Sequence, residues 1–235
     1  MGLLYIVMPA YNEEANIEQV VRQWLRAGGD GSRLVVADSG STDSTHEKLR
    51  ALQEKHGNLE ILSETGKQHG PKLMALYDYA IKHGADYIFQ TDSDGQTNPE
   101  EFQSFWELRD EYDIILGKRL KRGDGRVRAF VERVVCMLLS VFFGVRAPDA
   151  NAPFRLMKAE TIKKYLDRLP WDYNLPNIML TVYFVFYNEK LIFKEISFKP
   201  RQGGKNSVNI RKIIGIGWKA LGDFRRFRKG MVEGR

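Results

Sequence analysis

Apolar strand-like runs alternate with amphipathic helical patterns through the first part of this chain, and that alternation limits its fold more than any other feature. Leu3 to Met8 reads as a buried strand, broken by Pro9-Ala10-Tyr11-Asn12. Asn12-Glu13-Glu14 then offers a helix start with acid in its first turn, and Ile17, Val20, Val21, Trp24 and Leu25 follow at helical spacing. Gly28 to Gly31 ends that helix. Leu34 to Ala37 is a second strand, closed by Asp38-Ser39-Gly40-Ser41-Thr42-Asp43. Ser44 with Glu47 predicts a capping box ahead of Leu49 and Leu52. Leu59 to Leu62 is a third strand. Lys72 to His83 is a helix with Leu73, Leu76, Tyr77, Ala80 and Ile81 inward, and Asp86 to Thr91 is the fourth strand.

The order β-α-β-α-β-α-β calls for an α/β fold with a parallel sheet and right-handed crossovers. In an open sheet of that kind the strand tips share one edge, where ligands bind. Pro9-Tyr11-Glu13, Asp38-Ser39, Ser63-Glu64 and Asp92-Asp94-Gln96 therefore converge on one crevice. Asp92-Ser93-Asp94-Gly95-Gln96 fits a surface turn when read alone. At a strand tip it becomes a site for a hard cation, because a few oxygen ligands leave positions on Mg²⁺ or Mn²⁺ open to a substrate's phosphates. Gly95 lets the backbone turn so that the Gln96 amide oxygen faces the same point as Asp94. No Gly-x-Gly-x-x-Gly follows the first strand and no Gly-Lys-Ser/Thr loop occurs, which disfavours dinucleotide oxidoreductases and P-loop nucleotidases. Asp38 for a base or ribose and a cation for a diphosphate suggest a nucleoside diphosphate ligand.

With 235 residues, 43% of them hydrophobic, the chain can bury a large core. Its single cysteine, Cys136, allows no internal disulfide and fits a reducing compartment. Nothing at the start resembles a signal peptide, and the longest apolar stretch, Val134 to Val145, is too short to span a bilayer. A cytoplasmic location, peripheral at the inner membrane face, is the expectation. The net charge of +6 suits anionic ligands or anionic lipid.

Val7-Met8-Pro9-Ala10-Tyr11-Asn12-Glu13-Glu14, then Val36-Ala37-Asp38-Ser39-Gly40-Ser41-Thr42-Asp43, then Asp92-Ser93-Asp94 resemble an inverting family 2 glycosyltransferase of the GT-A fold. The resemblance implies a three-layer sandwich around a mostly parallel sheet, with a UDP- or GDP-sugar as donor. It implies that Pro9, Tyr11 and Glu13 line the nucleotide pocket, that Asp38 and Asp43 contact base or ribose, and that Asp92 and Asp94 bracket the diphosphate. Asp94, Gln96 and Asp92 are the implied metal ligands, and Lys72 is counted with the donor-binding residues. Asp-Ser-Asp-Gly-Gln, Gly117-Lys118-Arg119 and Asp149 through Pro153-Phe154-Arg155-Leu156 resemble polyprenyl-phosphate glycosyltransferases of the dolichol-phosphate mannose synthase type. Lys118 and Pro153 depart from that pattern. Phe198 to Ser207 resembles a late loop that closes over the diphosphate, and Arg201 and Lys205 supply its positive charge.

Asp92, Asp94, Arg119 and Asp149 form the expected catalytic set. A phosphate acceptor is already anionic and needs only cations such as Arg119, Arg126 or Arg128 to hold it. A saccharide hydroxyl needs a base, for which Asp149 is the candidate, unless it contacts Arg155 or caps a helix. A non-catalytic nucleotide-sugar-binding scaffold is the third alternative. Residues 1–209 are expected to form the catalytic domain, divided into a donor half at 1–119 and an acceptor half at 120–209. Ile114 to Leu116 reads as a fifth strand, and Leu191 to Phe193 and Glu195 to Phe198 as two short late ones. The apolar helix from about Val131 to Phe143 and the apolar run Ile178 to Tyr187 fit either the core or the acceptor side. The tail 210–235 carries a basic amphipathic pattern over 210–229, suited to an anionic membrane, an oligomer contact or docking on the core. No histidine is assigned chemistry, and no motif for nucleic acid is present.

Overall fold

A computed structural model describes residues 2–120, 126–200 and 222–232; for 126–129 it describes the backbone alone. Arg201, Lys205, the basic loop 121–125, the side chains of Arg126 and Arg128, and tail residues 210–221 lie outside the described set.

The alternation read from the sequence folds in the expected order, except that β1 runs on through Pro9 and Ala10 and α1 begins at Ile17 rather than near Asn12. Strands β1 (Leu4–Ala10), β2 (Ser32–Asp38), β3 (Leu59–Leu62) and β4 (Tyr87–Gln90) are linked by helices α1 (Ile17–Gly28), α2 (Thr45–Gln53) and α3 (His69–Lys82). After a short turn of helix and α4 (Phe102–Trp106) come β5 (Ile114–Arg119), α5 (Arg126–Phe143), β6 (Arg155–Lys158), α6 (Ala159–Leu166), α7 (Pro176–Phe186) and β7 (Leu191–Ile196). They build one sheet in the order β3-β2-β1-β4-β6-β5-β7. Every pairing is parallel except the two made by β6. The C-terminal tips of six strands and the N-terminus of β6 thus lie along one edge.

Side-chain alternation assigns each face its own core. From β1, Tyr5 and Val7 join the side covered by α3, α5, α6 and α7. Leu4, Ile6 and Met8 join the side covered by α1, α2 and α4, where buried Trp24 meets Phe89, Phe102 and Phe154. Helix α7 is buried from Pro176 through Phe184, so the run around Ile178 to Phe184 belongs to the core.

Several sequence expectations need correction. Strand β6 was not anticipated, and the two late strands are the single strand β7. Helix α5 begins at Arg126 rather than near 131, so part of the basic stretch is helical. Ser44 does not cap α2; the Asp43 carboxylate accepts from the Thr45 amide instead, at 3.0 Å. Of the alternatives left open for the tail, residues 222–232 take up docking on the core, which needs no correction: Phe224 packs on Phe142 and Phe143, and Phe227 on Tyr173. Arg155 is fully buried and, among the described residues, bonds neither to Asp149 nor to any other carboxylate. It donates to the carbonyls of Ala150 (2.5 Å), Ala152 (2.8 Å) and Asn177 (3.0 Å) and to Thr181 Oγ1 (3.1 Å), tying β6 to α7.

Gly70 sets how closely α3 approaches the segment before α7. A Cβ there would collide with the Tyr173 carbonyl oxygen and the Asn174 backbone, which cannot swing aside. Gly70→Ala should therefore destabilise the fold by about 2 kcal/mol, lowering Tm by about 6 °C in a thermal melt.

Candidate active site

At β1 the chain order reverses: β2 and β3 lie to one side and β4 to the other. That switch point opens a crevice beyond the strand tips. Asp38 ends β2 in register with Ala10, and Asp92 and Asp94 follow β4 on the other side of β1, about 10 Å across two strand spacings. Ser93 Oγ donates to the Pro9 carbonyl at 2.8 Å, pinning the acidic turn to the end of β1.

On the β2 side, two loops are tied together. Asn12, at φ 53°, accepts the Thr42 amide on its side-chain oxygen (2.8 Å), and its own amide donates to Ser41 Oγ (3.0 Å). Glu13 N donates to Thr45 Oγ1 (2.8 Å) and Glu14 N to Asp43 Oδ2 (3.2 Å). Burial pushes the Asp43 carboxyl up, but the hydrogen bonds from Thr45 and Glu14 outweigh it and hold it below its ordinary value. The Asp43 oxygens thus brace the loop, and the buried Glu13 carboxylate accepts from Asn16 Nδ2 (3.1 Å) beneath it. Asp38 is buried, accepts from Ser41 Oγ, and faces His46 Nδ1 at 3.1 Å. The histidine contact was not anticipated; its signal was the spacing from Asp38 to the first turn of α2.

Lys72 stands beside them. Its ammonium, 1% exposed, donates to the Ala10 carbonyl and lies 5.2 Å from the ring centroid of Tyr11, which is 41% exposed at the crevice. No carboxylate among the described residues comes within ion-pair distance of it. Burial pushes Lys72 down to about 8, and the Asp38 charge opposes that shift.

On the β4 side, Asp94 Oδ1 accepts the Gln96 amide at 3.1 Å across Gly95, whose φ of 72° suits glycine. Gln96 Nε2 donates to the Lys199 carbonyl (2.8 Å), and Lys199 N returns a bond to the Gln96 carbonyl (2.8 Å). With its nitrogen held there, the Gln96 amide has its oxygen to offer a cation. Carboxylate and amide oxygens suit Mg²⁺ or Mn²⁺. Among the described residues no three His, Cys, Asp or Glu side chains gather tightly enough to hold a metal ion.

Farther along the edge, Arg119 grips Asp149 with Nε and Nη2, both at 2.7 Å, and its backbone amide adds a third contact at 3.2 Å. Glu132 of α5 lies 3.8 Å from Arg119 Nη2, and the Phe198 ring centroid 5.1 Å from the guanidinium. The pair is nearly excluded from water, so removing one partner strands the other's charge. Arg119→Ala should cost about 3 kcal/mol of stability in urea unfolding, and Arg119→Lys should recover only part of it because an ammonium cannot form the fork.

The sign of the Lys72 shift gives a second test. The unfolded chain binds the proton more tightly between pH 8 and the ordinary lysine value of 10.5. Burying the charge therefore costs stability below pH 8, and the cost disappears as pH rises towards 10.5. In urea titrations, Lys72→Met should gain on the wild type at pH 7 and lose that advantage above pH 10.

The family model described as glycosyl transferase family 2 matches residues 5–166. Undecaprenyl-phosphate 4-deoxy-4-formamido-L-arabinose transferase of Pseudomonas aeruginosa is 27% identical over 170 residues, covering 71% of this chain and 50% of that protein. The transferase of the same name from Edwardsiella ictaluri is 26% identical over 217 residues, 90% of this chain and 64% of the relative. The chain thus spans about half the length of the first relative and under two thirds of the second. Glucosyl-3-phosphoglycerate synthase from Mycobacterium tuberculosis, solved with Mn²⁺, UDP-glucose and phosphoglyceric acid, aligns with a TM-score of 0.72 at 17% identity, over 97% of this chain and 80% of that one. The same enzyme with Mg²⁺ and UDP gives 0.68 at 19% identity, over 94% and 80%. At such identity the likeness speaks for the architecture, which is GT-A.

Proposed function

We propose that this chain, which belongs to glycosyl transferase family 2, moves a sugar from a UDP-sugar to a lipid phosphate with inversion at the anomeric carbon. One arrangement carries the reading: at one end of the strand tips Lys72 donates to the Ala10 carbonyl beside the exposed Tyr11 ring, with Asp38 in register with Ala10, and at the other end Ser93 pins the Asp92–Gln96 turn to Pro9.

At the first end Tyr11 stacks on the base. Asp38 accepts from an imide N–H while Lys72 donates to the neighbouring carbonyl. Uracil presents that pair of groups and cytosine does not; guanine presents it with a second ring to house. Support for UDP also comes from the ligands named in the M. tuberculosis structures. At the second end Asp94, Gln96 and Asp92 would hold Mg²⁺ or Mn²⁺, which supplies charge neutralisation to the departing diphosphate. The Gln96–Lys199 bonds keep the amide oxygen aimed during that step. Ser93, fixed to Pro9, keeps both carboxylates at the strand tip.

The acceptor reading rests on Arg119 and Asp149 together with the undecaprenyl-phosphate named in the relatives. Asp149 has both oxygens on the Arg119 fork, an arrangement poorly suited to taking a proton from a sugar hydroxyl. A phosphate oxygen needs no base, and it competes with Asp149 for the same guanidinium.

The test is transfer from UDP-sugars to a short-chain polyprenyl phosphate in detergent, with and without Mn²⁺. Transfer should require the metal, and Asp94→Asn should lower it about a hundredfold or more. Lys72→Met should weaken UDP binding by about tenfold or more. Asp149→Asn distinguishes the acceptors: lost turnover with intact donor binding, alongside transfer to a sugar hydroxyl, would replace this reading.

A further inference from the structure

Five polar side chains meet in the core below the acidic turn, shut away from solvent. Gln90, the last residue of β4, pairs in register with Arg155, the first of β6, so both side chains point to the same face of the sheet. Tyr77 of α3 and Asn177 and Thr181 of α7 meet them there. Each of the five is at most 2% exposed. The Tyr77 hydroxyl lies 2.9 Å from Gln90 Oε1 and 3.0 Å from Asn177 Oδ1, and it is the polar contact between β4 and α7.

Stability alone does not account for this set. Gln90 Nε2 has no hydrogen-bond partner among the described residues, and a buried amide nitrogen in that state costs stability. Burying the Arg155 charge among neutral groups costs more. An apolar cluster of the same volume would hold α3 and α7 to the sheet with less desolvation, whereas directional bonds fix where the elements stand.

The contacts run on from Asn177 towards the acceptor side. Its carbonyl accepts Arg155 Nη1 (3.0 Å), and Arg155 Nη2 donates to the Ala150 carbonyl (2.5 Å). The Ala150 amide donates to Glu132 Oε1 (3.2 Å), whose other oxygen lies 3.8 Å from Arg119 Nη2. In the opposite direction, Gln90 is two residues before Asp92. Burial raises the Tyr77 pKa, the Arg155 charge lowers it and the Asp92 charge raises it, so the hydroxyl keeps its proton within electrostatic reach of both.

We propose that Tyr77 is a positioning residue: its hydroxyl, shared between Gln90 and Asn177, sets the Asp92–Gln96 turn at the distance from the Arg119–Asp149 pair that transfer requires. The proposal deepens the lipid-phosphate reading, on which it rests, by naming a residue that touches neither reactant yet governs how they meet. Losing the hydroxyl leaves Asp38, Lys72 and Arg119 in place, so each reactant still binds. What goes is their alignment, and a misplacement of about 1 Å can lower a rate about a hundredfold.

Steady-state transfer from a UDP-sugar to a short-chain polyprenyl phosphate, in detergent with Mn²⁺, tests this. Tyr77→Phe should lower kcat about tenfold or more, with KM for both substrates and calorimetric UDP binding within about twofold of the wild type. Asn177→Ala, which empties the α7 side of the same contact, should do likewise, and it stands in if Tyr77→Phe does not fold. The double variant should be no slower than the slower single one, since both changes break one link. Leu166→Ala, in the same core but outside the polar set, should lower Tm at least as far and leave kcat unchanged well below that Tm. Unchanged kcat in the single variants, losses that multiply in the double one, or an equal loss in Leu166→Ala would each overturn the proposal and leave the function standing. Transfer only to a sugar hydroxyl sinks the lipid-phosphate reading, and the same kcat comparison with that acceptor then decides the role of Tyr77. No transfer to either acceptor overturns both.

Discussion

Strand β1 is hydrogen-bonded on both sides to strands running its own way, and the site depends on that arrangement. Parallel neighbours reached by opposite crossovers cannot cover the gap above β1 with their own connections. Buried Ala10 and half-exposed Tyr11 therefore carry the chain out between the tip of β2 and the turn after β4. The loops around it are held by side chains accepting backbone amides: Asn12 for Thr42, Asp43 for Thr45 and Glu14, Asp94 for Gln96. Such bonds fix polar groups in place before any ligand arrives, the usual requirement for binding charge without large reorganisation.

Two kinds of buried charge coexist here. Arg155 sits among carbonyls and a hydroxyl and joins β6 to α7; all its named partners are neutral, and its role is architectural. Lys72 has one carbonyl, a ring and a more distant carboxylate, so its environment leaves the ammonium poorly compensated. In the proposed reaction, a carbonyl of the donor's base completes that solvation.

Much of this was legible before the fold was known. The β1–β4 half announced itself through period and breaks, because each strand there is long enough, or bounded sharply enough, to stand out. Strand β6 did not: four residues after Pro153 carry no alternation, and they are a strand only because β4 and β5 pair with both their edges. Ser44 and Asp43 are both good helix caps, and contact with Glu14 from another loop decides between them. Helical spacing put Lys72 one residue before the inward Leu73, but its burial follows from the approach of Ala10, 62 positions away. The Gln96 partner is 103 positions distant, beyond the reach of any local pattern.

The two ends of the proposed reaction meet at a narrow joint. Strands β1 to β4 lead to the proposed nucleotide side, β5 carries Arg119 and the segment before β6 carries Asp149, and the sheet joins the two through four residue pairs between Tyr87–Gln90 and Arg155–Lys158. In the proposed reaction the twist at that joint sets the distance between donor and acceptor. A substitution in either of these short strands would then retune the enzyme's reach without touching any group that binds them.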